Sequence, residues 1–157
     1  MNETLREQLY GATVRMRSRP EPIATLLMPS WRVPLVPLMI AACRSRRAQR
    51  EQLVVLNWAL RDPLVYEALR ATLARETVAV PPSVRYEPAL IRATNIAHGL
   101  GLLGREGDWL TSTPAADALV KKLADLDVYV SERELLDGLP RALPLSTARS
   151  ILQGTVS

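Results

Sequence analysis

Phenylalanine is absent from this 157-residue chain, and three Trp and four Tyr are its whole aromatic supply. The core must therefore be assembled from Leu, Val, Ile and Ala, a composition that favours helices over sheet. A single cysteine, Cys43, excludes an intrachain disulfide and a cysteine-based zinc site. With one histidine, His98, a metal site would have to rest on carboxylates. The available pairs, Asp125/Asp127 and Glu132/Glu134, are spaced like surface helix or loop residues. No apolar run reaches the about 18 residues of a membrane span, and the apolar stretch Val33–Cys43 holds two prolines and runs into Arg44, Arg46 and Arg47. The opening MNETLREQLYG has neither the basic region nor the apolar region of a signal peptide, so a cytoplasmic protein is expected. There is no Walker-type lysine loop. Gly99, Gly101 and Gly104 meet a loose glycine pattern, but they follow a helix instead of opening one. His98 as a general base would need a nucleophile and an orienting group beside it, and a half-buried or capping histidine is the plainer reading. The expectation is a non-catalytic chain with no cofactor and no metal.

What is present suits one soluble domain with some tail. Hydrophobic residues make up 48% and charged residues 23%, enough for a real core. The net charge of +4 is unevenly placed: residues 1–50 hold nine Arg against three Glu, whereas residues 101–157 hold six basic and eight acidic side chains. Eighteen of the twenty basic residues are Arg, the better side chain for gripping carboxylate or phosphate with two bonds. The basic front half reads either as a solvated face or as a surface for an anionic partner.

Along the chain, Leu5, Leu9, Ala12 and Met16 form a narrow apolar seam on an N-terminal helix. The seam packs on the body of the domain or on a helix of another chain. Residues 19–37 carry prolines at 20, 22, 29, 34 and 37, so only Ile23–Leu27 is expected to form a turn of helix there. The segment is nevertheless apolar, unlike a flexible linker. Helices are predicted over Leu38–Arg44, over about Gln49–Leu60, from Pro63 behind the cap Asp62, and from Pro88 behind Glu87. Gly104 to Asp108 then read as the turn of a hairpin between Leu102–Leu103 and Trp109–Leu110. Thr113 caps a helix starting at Pro114, and Ser131 with Glu134 forms a capping box. A last helix covers Ser146–Gln153.

Helix, hairpin, helix is how a winged helix-turn-helix ends. The expected fold is mainly α: a winged helix-turn-helix with one short β-hairpin wing, an N-terminal helical arm and C-terminal short helices. On a DNA-binding reading, the helix from Pro88 presents Arg92 and Asn95, types suited to base edges, and Arg105 on the wing reaches phosphate. Arg44, Arg46, Arg47 and Arg50 form a second candidate for sequence-independent phosphate contact, or a solvated helix junction. Glu106, Asp108 and Asp117 dilute the positive charge around the wing, which argues against base reading.

The segment RPEPIATLLMPSW, Arg19–Trp31, is similar to a stretch in the small middle components of prokaryotic three-component ABC/SMC-like systems, including Lamassu anti-phage defence. Arg19, Pro20, Ile23, Ala24, Leu26, Leu27 and Pro29 fit that pattern. Pro22 stands where Glu is common, Met28 where Asn is common, and Trp31 in place of Phe. QLVVLNWALRDP and VRYEPALIRATNIAHGLGLLGREGDWLTSTPAADALV resemble the winged-helix body of the same family, so the likeness spans residues 19–123. It implies a non-catalytic, kleisin-like subunit in anti-phage or anti-plasmid defence. Such a subunit links a coiled-coil SMC-like ATPase to an effector subunit (a nuclease or another activity), with non-specific DNA contact inside the complex as a further expectation and no membrane. Residues 1–30 would be the helical arm and proline-rich docking segment, 31–127 the winged-helix domain and 128–157 a C-terminal helical tail. Partner contact is expected at Leu5, Leu9, Met16, Ile23, Leu26, Leu27 and Trp31. The alternative is a stand-alone winged-helix transcriptional regulator.

Overall fold

The computed structural model describes residues 28–77 and 83–154. The expected seam, Leu5, Leu9 and Met16, and the anchors Ile23, Leu26 and Leu27 lie outside these residues. Seven helices and a small sheet follow in the described chain: α1 (Pro29–Ala41), β1 (Arg47–Ala48), α2 (Arg50–Ala59), α3 (Pro63–Ala74), α4 (Pro88–Gly99), β2 (Leu103–Glu106), β3 (Trp109–Ser112), α5 (Pro114–Asp125), α6 (Val130–Asp137) and α7 (Leu145–Gln153). The fold is mainly α with a β-hairpin wing, as the pattern of helices and turns predicts.

The largest departure is α1. An irregular stretch was expected up to Pro37, yet the helix starts at Pro29 and runs through Pro34 and Pro37. Each internal proline removes a helical hydrogen bond and costs about 3 kcal/mol in a free helix. Burial reverses that balance. Val33, Leu35, Val36, Leu38, Met39 and Ile40 are all buried, and each fully buried side chain of this size contributes about 1.5–3 kcal/mol. The helix is the centre of the core and packs against α4 and α5, so an apolar segment with poor local propensity is helical because of what surrounds it.

Other elements begin where local chemistry starts them. Asp62 accepts from the Leu64 N–H at 2.9 Å at the head of α3. Thr113 accepts from the Ala116 N–H at 3.2 Å at the head of α5. The expected box of Ser131 and Glu134 is not formed: the cap position falls two residues earlier, at a left-handed Tyr129 (φ 56°) with no side-chain cap. The Tyr129 ring lies 4.2 Å from that of Trp31, and its hydroxyl donates to the Trp31 carbonyl at 2.8 Å. That tertiary anchor, not the local box, decides where α6 begins. Gln52 instead reaches back to the Gln49 N–H at 2.8 Å, at the head of α2.

The sheet has three antiparallel strands in the order β1-β3-β2, one strand more than the hairpin. Arg47 pairs with Thr111 and Ala48 with Leu110, so Ala48 and Leu110 face the core while Arg47 stays exposed. The wing turn is tighter than expected. Glu106 pairs with Trp109, leaving Gly107 and Asp108 as the turn. Gly107 has φ 59° and Asp108 is not in the positive region, the φ pattern of a type II′ turn. Gly104 is therefore a strand residue, opposite Thr111. The described part of residues 128–157 shares the common core: Leu136, Leu143, Ala148 and Ile151 are buried in it, and Gln52 Nε2 donates to the Leu143 carbonyl at 2.8 Å.

A Cβ on Gly104 would meet Thr111 Oγ1 at 2.6 Å. Gly104→Ala should therefore destabilise the protein by about 1 kcal/mol or more. Most of that loss should disappear in the Thr111→Ala background, a coupling that urea denaturation of the four-member cycle measures.

Candidate functional site

The helix that leads into the wing is α4. Its start is held by one carboxylate. Glu87 Oε1 accepts from Arg32 Nη2 of α1 at 2.9 Å. Glu87 Oε2 accepts from Asn57 Nδ2 of α2 at 3.0 Å and from Arg61 Nη1 at 2.7 Å. Arg32 and Asn57 are buried. Trp58 Nε1 adds a bond to the Arg85 carbonyl at 2.8 Å. The end of α4 is held by His98, whose Nδ1 donates to the Leu103 carbonyl of β2 at 2.9 Å. A carbonyl only accepts, so this ring nitrogen carries the proton and serves as a clamp between helix and wing.

Held at both ends, α4 buries Leu90, Ala93 and Ala97 and leaves Arg92, Asn95, Ile96 and Leu100 exposed. Arg92 and Ile96 lie one turn apart on α4, and Leu100, the residue just past its end, follows at the same interval. Ile96 is 37% and Leu100 65% exposed. Thr94 is turned back on its own helix and donates to the Leu90 carbonyl at 2.9 Å. The outer face is therefore as apolar as it is basic.

The arginines of residues 44–50, adjacent in sequence, are not one cluster in space. Ser45 and Arg46 take left-handed φ values of 58° and 51°, and the chain then alternates through β1 before α2 begins. Arg50 faces a cleft of about 300 Å³ that it lines with Asn95 of α4, Arg105 and Asp108 of the wing and Arg149 of α7. Arg149 is engaged there by Glu51 at 3.2 Å and Gln49 at 3.0 Å. Arg46 pairs with Asp117 of α5 at 2.9 Å, a carboxylate that also accepts from Ser112 Oγ at 2.6 Å. Arg44 and Arg47 line a different depression, with Trp109 and Arg141. Arg141, in the loop before α7, carries no local sequence signal, because the arginines it joins there, Arg44 and Arg47, lie 97 and 94 positions away.

Trp31, the one expected partner anchor within the described residues, is half-buried against Tyr129. Burial pushes the Cys43 thiol up to about 12, so it stays an unreactive core side chain. Among the described residues no group of three His, Cys, Asp or Glu could hold a metal ion, and no helix is long and apolar enough to cross a membrane. Compared with models of protein families, with curated proteins and with solved structures, the chain matches none of them.

The bonds from Arg32, and then those from Asn57 and the charge of Arg61, hold the Glu87 carboxyl at about 2, well below its ordinary 4.5. A depressed folded pKa stabilises the fold above the unfolded value, and that contribution is lost as pH falls from about 4.5 toward 2. Glu87→Gln should cost about 1–3 kcal/mol at neutral pH. Its deficit against the wild type should shrink as urea melts are repeated at progressively more acid pH. A deficit independent of pH would place the stabilisation outside the ionised carboxylate.

Proposed function

We propose that this chain is a non-catalytic assembly subunit that docks through the outer face of α4 onto a coiled-coil SMC-like ATPase in the cytoplasm. One observation carries the reading: the line Arg92, Ile96, Leu100 ends in two exposed apolar side chains where a base-reading helix would present hydrogen-bonding groups. Apolar side chains at intervals of four on a clamped helix fit a helical partner, which a coiled coil supplies. The resemblance of residues 19–123 to middle components of three-component ABC/SMC-like systems, Lamassu among them, supports the same role and adds the effector subunit as the second partner. The seam Leu5, Leu9 and Met16 and the segment holding Ile23, Leu26 and Leu27 would provide further contact. Trp31, turned onto Tyr129, would serve to hold the start of α1 in place.

A second reading, a stand-alone winged-helix regulator, draws on Arg92 and Asn95, both exposed and neighbouring on α4. It requires that the chain alone shift one specific duplex at physiological salt, and that Arg92→Ala with Asn95→Ala relax that preference.

Co-expression with the coiled-coil ATPase of the same locus separates the two. The tagged ATPase should retain the wild-type chain and lose Ile96→Glu with Leu100→Glu, while circular dichroism of the variant is unchanged. Leu5→Glu with Leu9→Glu should weaken retention if the seam contributes. Full retention of the Ile96/Leu100 variant would remove α4 from the interface.

A further inference from the structure

Arg44, Arg47 and Arg141 converge around Trp109 on the side of the wing sheet turned away from Ala48 and Leu110. They line an open depression of about 610 Å³, walled further by Gln52 and Leu143. None of its lining residues is a carboxylate. All three arginines are exposed, and neither Arg44 nor Arg141 has an ion-pair partner among the described residues. Arg47 lies 4.7 Å over the Trp109 ring, a stacking that holds its guanidinium out along the surface. Glu106, the cross-strand partner of Trp109, bounds the shelf toward the turn. The first turn of α7 opens beside it with no side-chain cap, so the helix dipole adds to the positive field of the arginines.

We propose that this arginine shelf binds the phosphodiester backbone of duplex DNA without reading its sequence. Guanidinium forks match phosphate oxygens, and Gln52, the amide of the lining, is already engaged by the Gln49 N–H and the Leu143 carbonyl. A peptide would need an apolar anchor pocket, yet Arg47 covers the indole face that could supply one. A membrane surface would need an apolar side chain to insert, and none of the exposed large hydrophobic residues lies in the lining. The shelf shares no residue with the outer face of α4, so it stands whether or not that face docks an ATPase.

The test is fluorescence anisotropy of the full chain with a labelled duplex of random sequence, across a salt series. Three phosphate contacts predict a slope of log K against log salt of about −2.7, an affinity loss of about 40-fold from 50 to 200 mM. Arg44→Gln with Arg141→Gln, two exposed changes that break no bond of the fold, should leave a loss of only about 3- to 4-fold over the same range. Arg92→Gln with Arg105→Gln should behave as wild type. The proposal is overturned if the shelf variant keeps the wild-type slope, if the Arg92/Arg105 variant loses it instead, or if polyglutamate binds more tightly than the duplex at equal salt.

Discussion

The Glu87 carboxylate is the constraint on which the arrangement of surfaces depends. It stands immediately before α4 but does not cap that helix. Its side chain makes no bond to the first turn of α4, although Asp62 and Thr113 cap their helices ahead of the same kind of proline, and it turns inward instead. There it meets a guanidinium from α1, an amide from α2 and a second guanidinium just past α2. Burying a guanidinium such as Arg32 is unfavourable unless it is both paired and hydrogen-bonded, and one carboxylate with four lone-pair sites meets that need for several donors at once. The result is directional: α1, α2 and the first turn of α4 meet at one point. With His98 holding the other end, the outward face of α4 is set by the interior rather than by a partner.

The same interior explains what could be read from sequence and what could not. Asp62-Pro63, Thr113-Pro114 and Pro88 announce their helices because a cap and a proline act within three residues of each other. Gly107 announces its turn for the same local reason. Helix α1 is hidden by Pro34 and Pro37, whose local penalty is real and is outweighed by burial that no window of sequence displays. Ser131 and Glu134 have the spacing of a capping box and do not form one, since the Tyr129–Trp31 contact joins residues 98 positions apart. Strand β1 is two residues long, too short to show an alternation. The partners of Glu87 lie 55, 30 and 26 positions away, so the residue that orients α4 looks in sequence like an ordinary helix opener.

For the surfaces, residue type was legible and grouping was not. The run from Arg44 to Arg50 reads as one basic cluster, but the left-handed turn at Ser45 and Arg46, followed by strand alternation, distributes it three ways. Arg50 goes to the cleft beside α4, Arg46 to Asp117, and Arg44 and Arg47 to the shelf that Arg141 completes. The outer face of α4 follows only in part from helical periodicity. Spacing turns Arg92 and Asn95 outward, but it groups Leu100 with Leu90, Ala93 and Ala97, and Leu100 is 65% exposed because the chain leaves the helix at Gly99.

The ion pair of Arg46 with Asp117 bears on the shelf as well. Both side chains are about half exposed, so the pair by itself stabilises the fold by no more than about 1 kcal/mol. Its consequence is geometric. Asp117 sits in the first turn of α5, held also by Ser112 at the end of β3. Arg46 thereby ties the turn before β1 to the opposite end of the strand that carries Trp109. One of the four nearby arginines is neutralised, and in return the backbone that presents Arg44 and Arg47 is pinned against β3. Because guanidinium groups keep their charge throughout the physiological range, a shelf built this way responds to salt and hardly at all to pH. That behaviour sets it apart from the Glu87 node, whose contribution is lost only in acid.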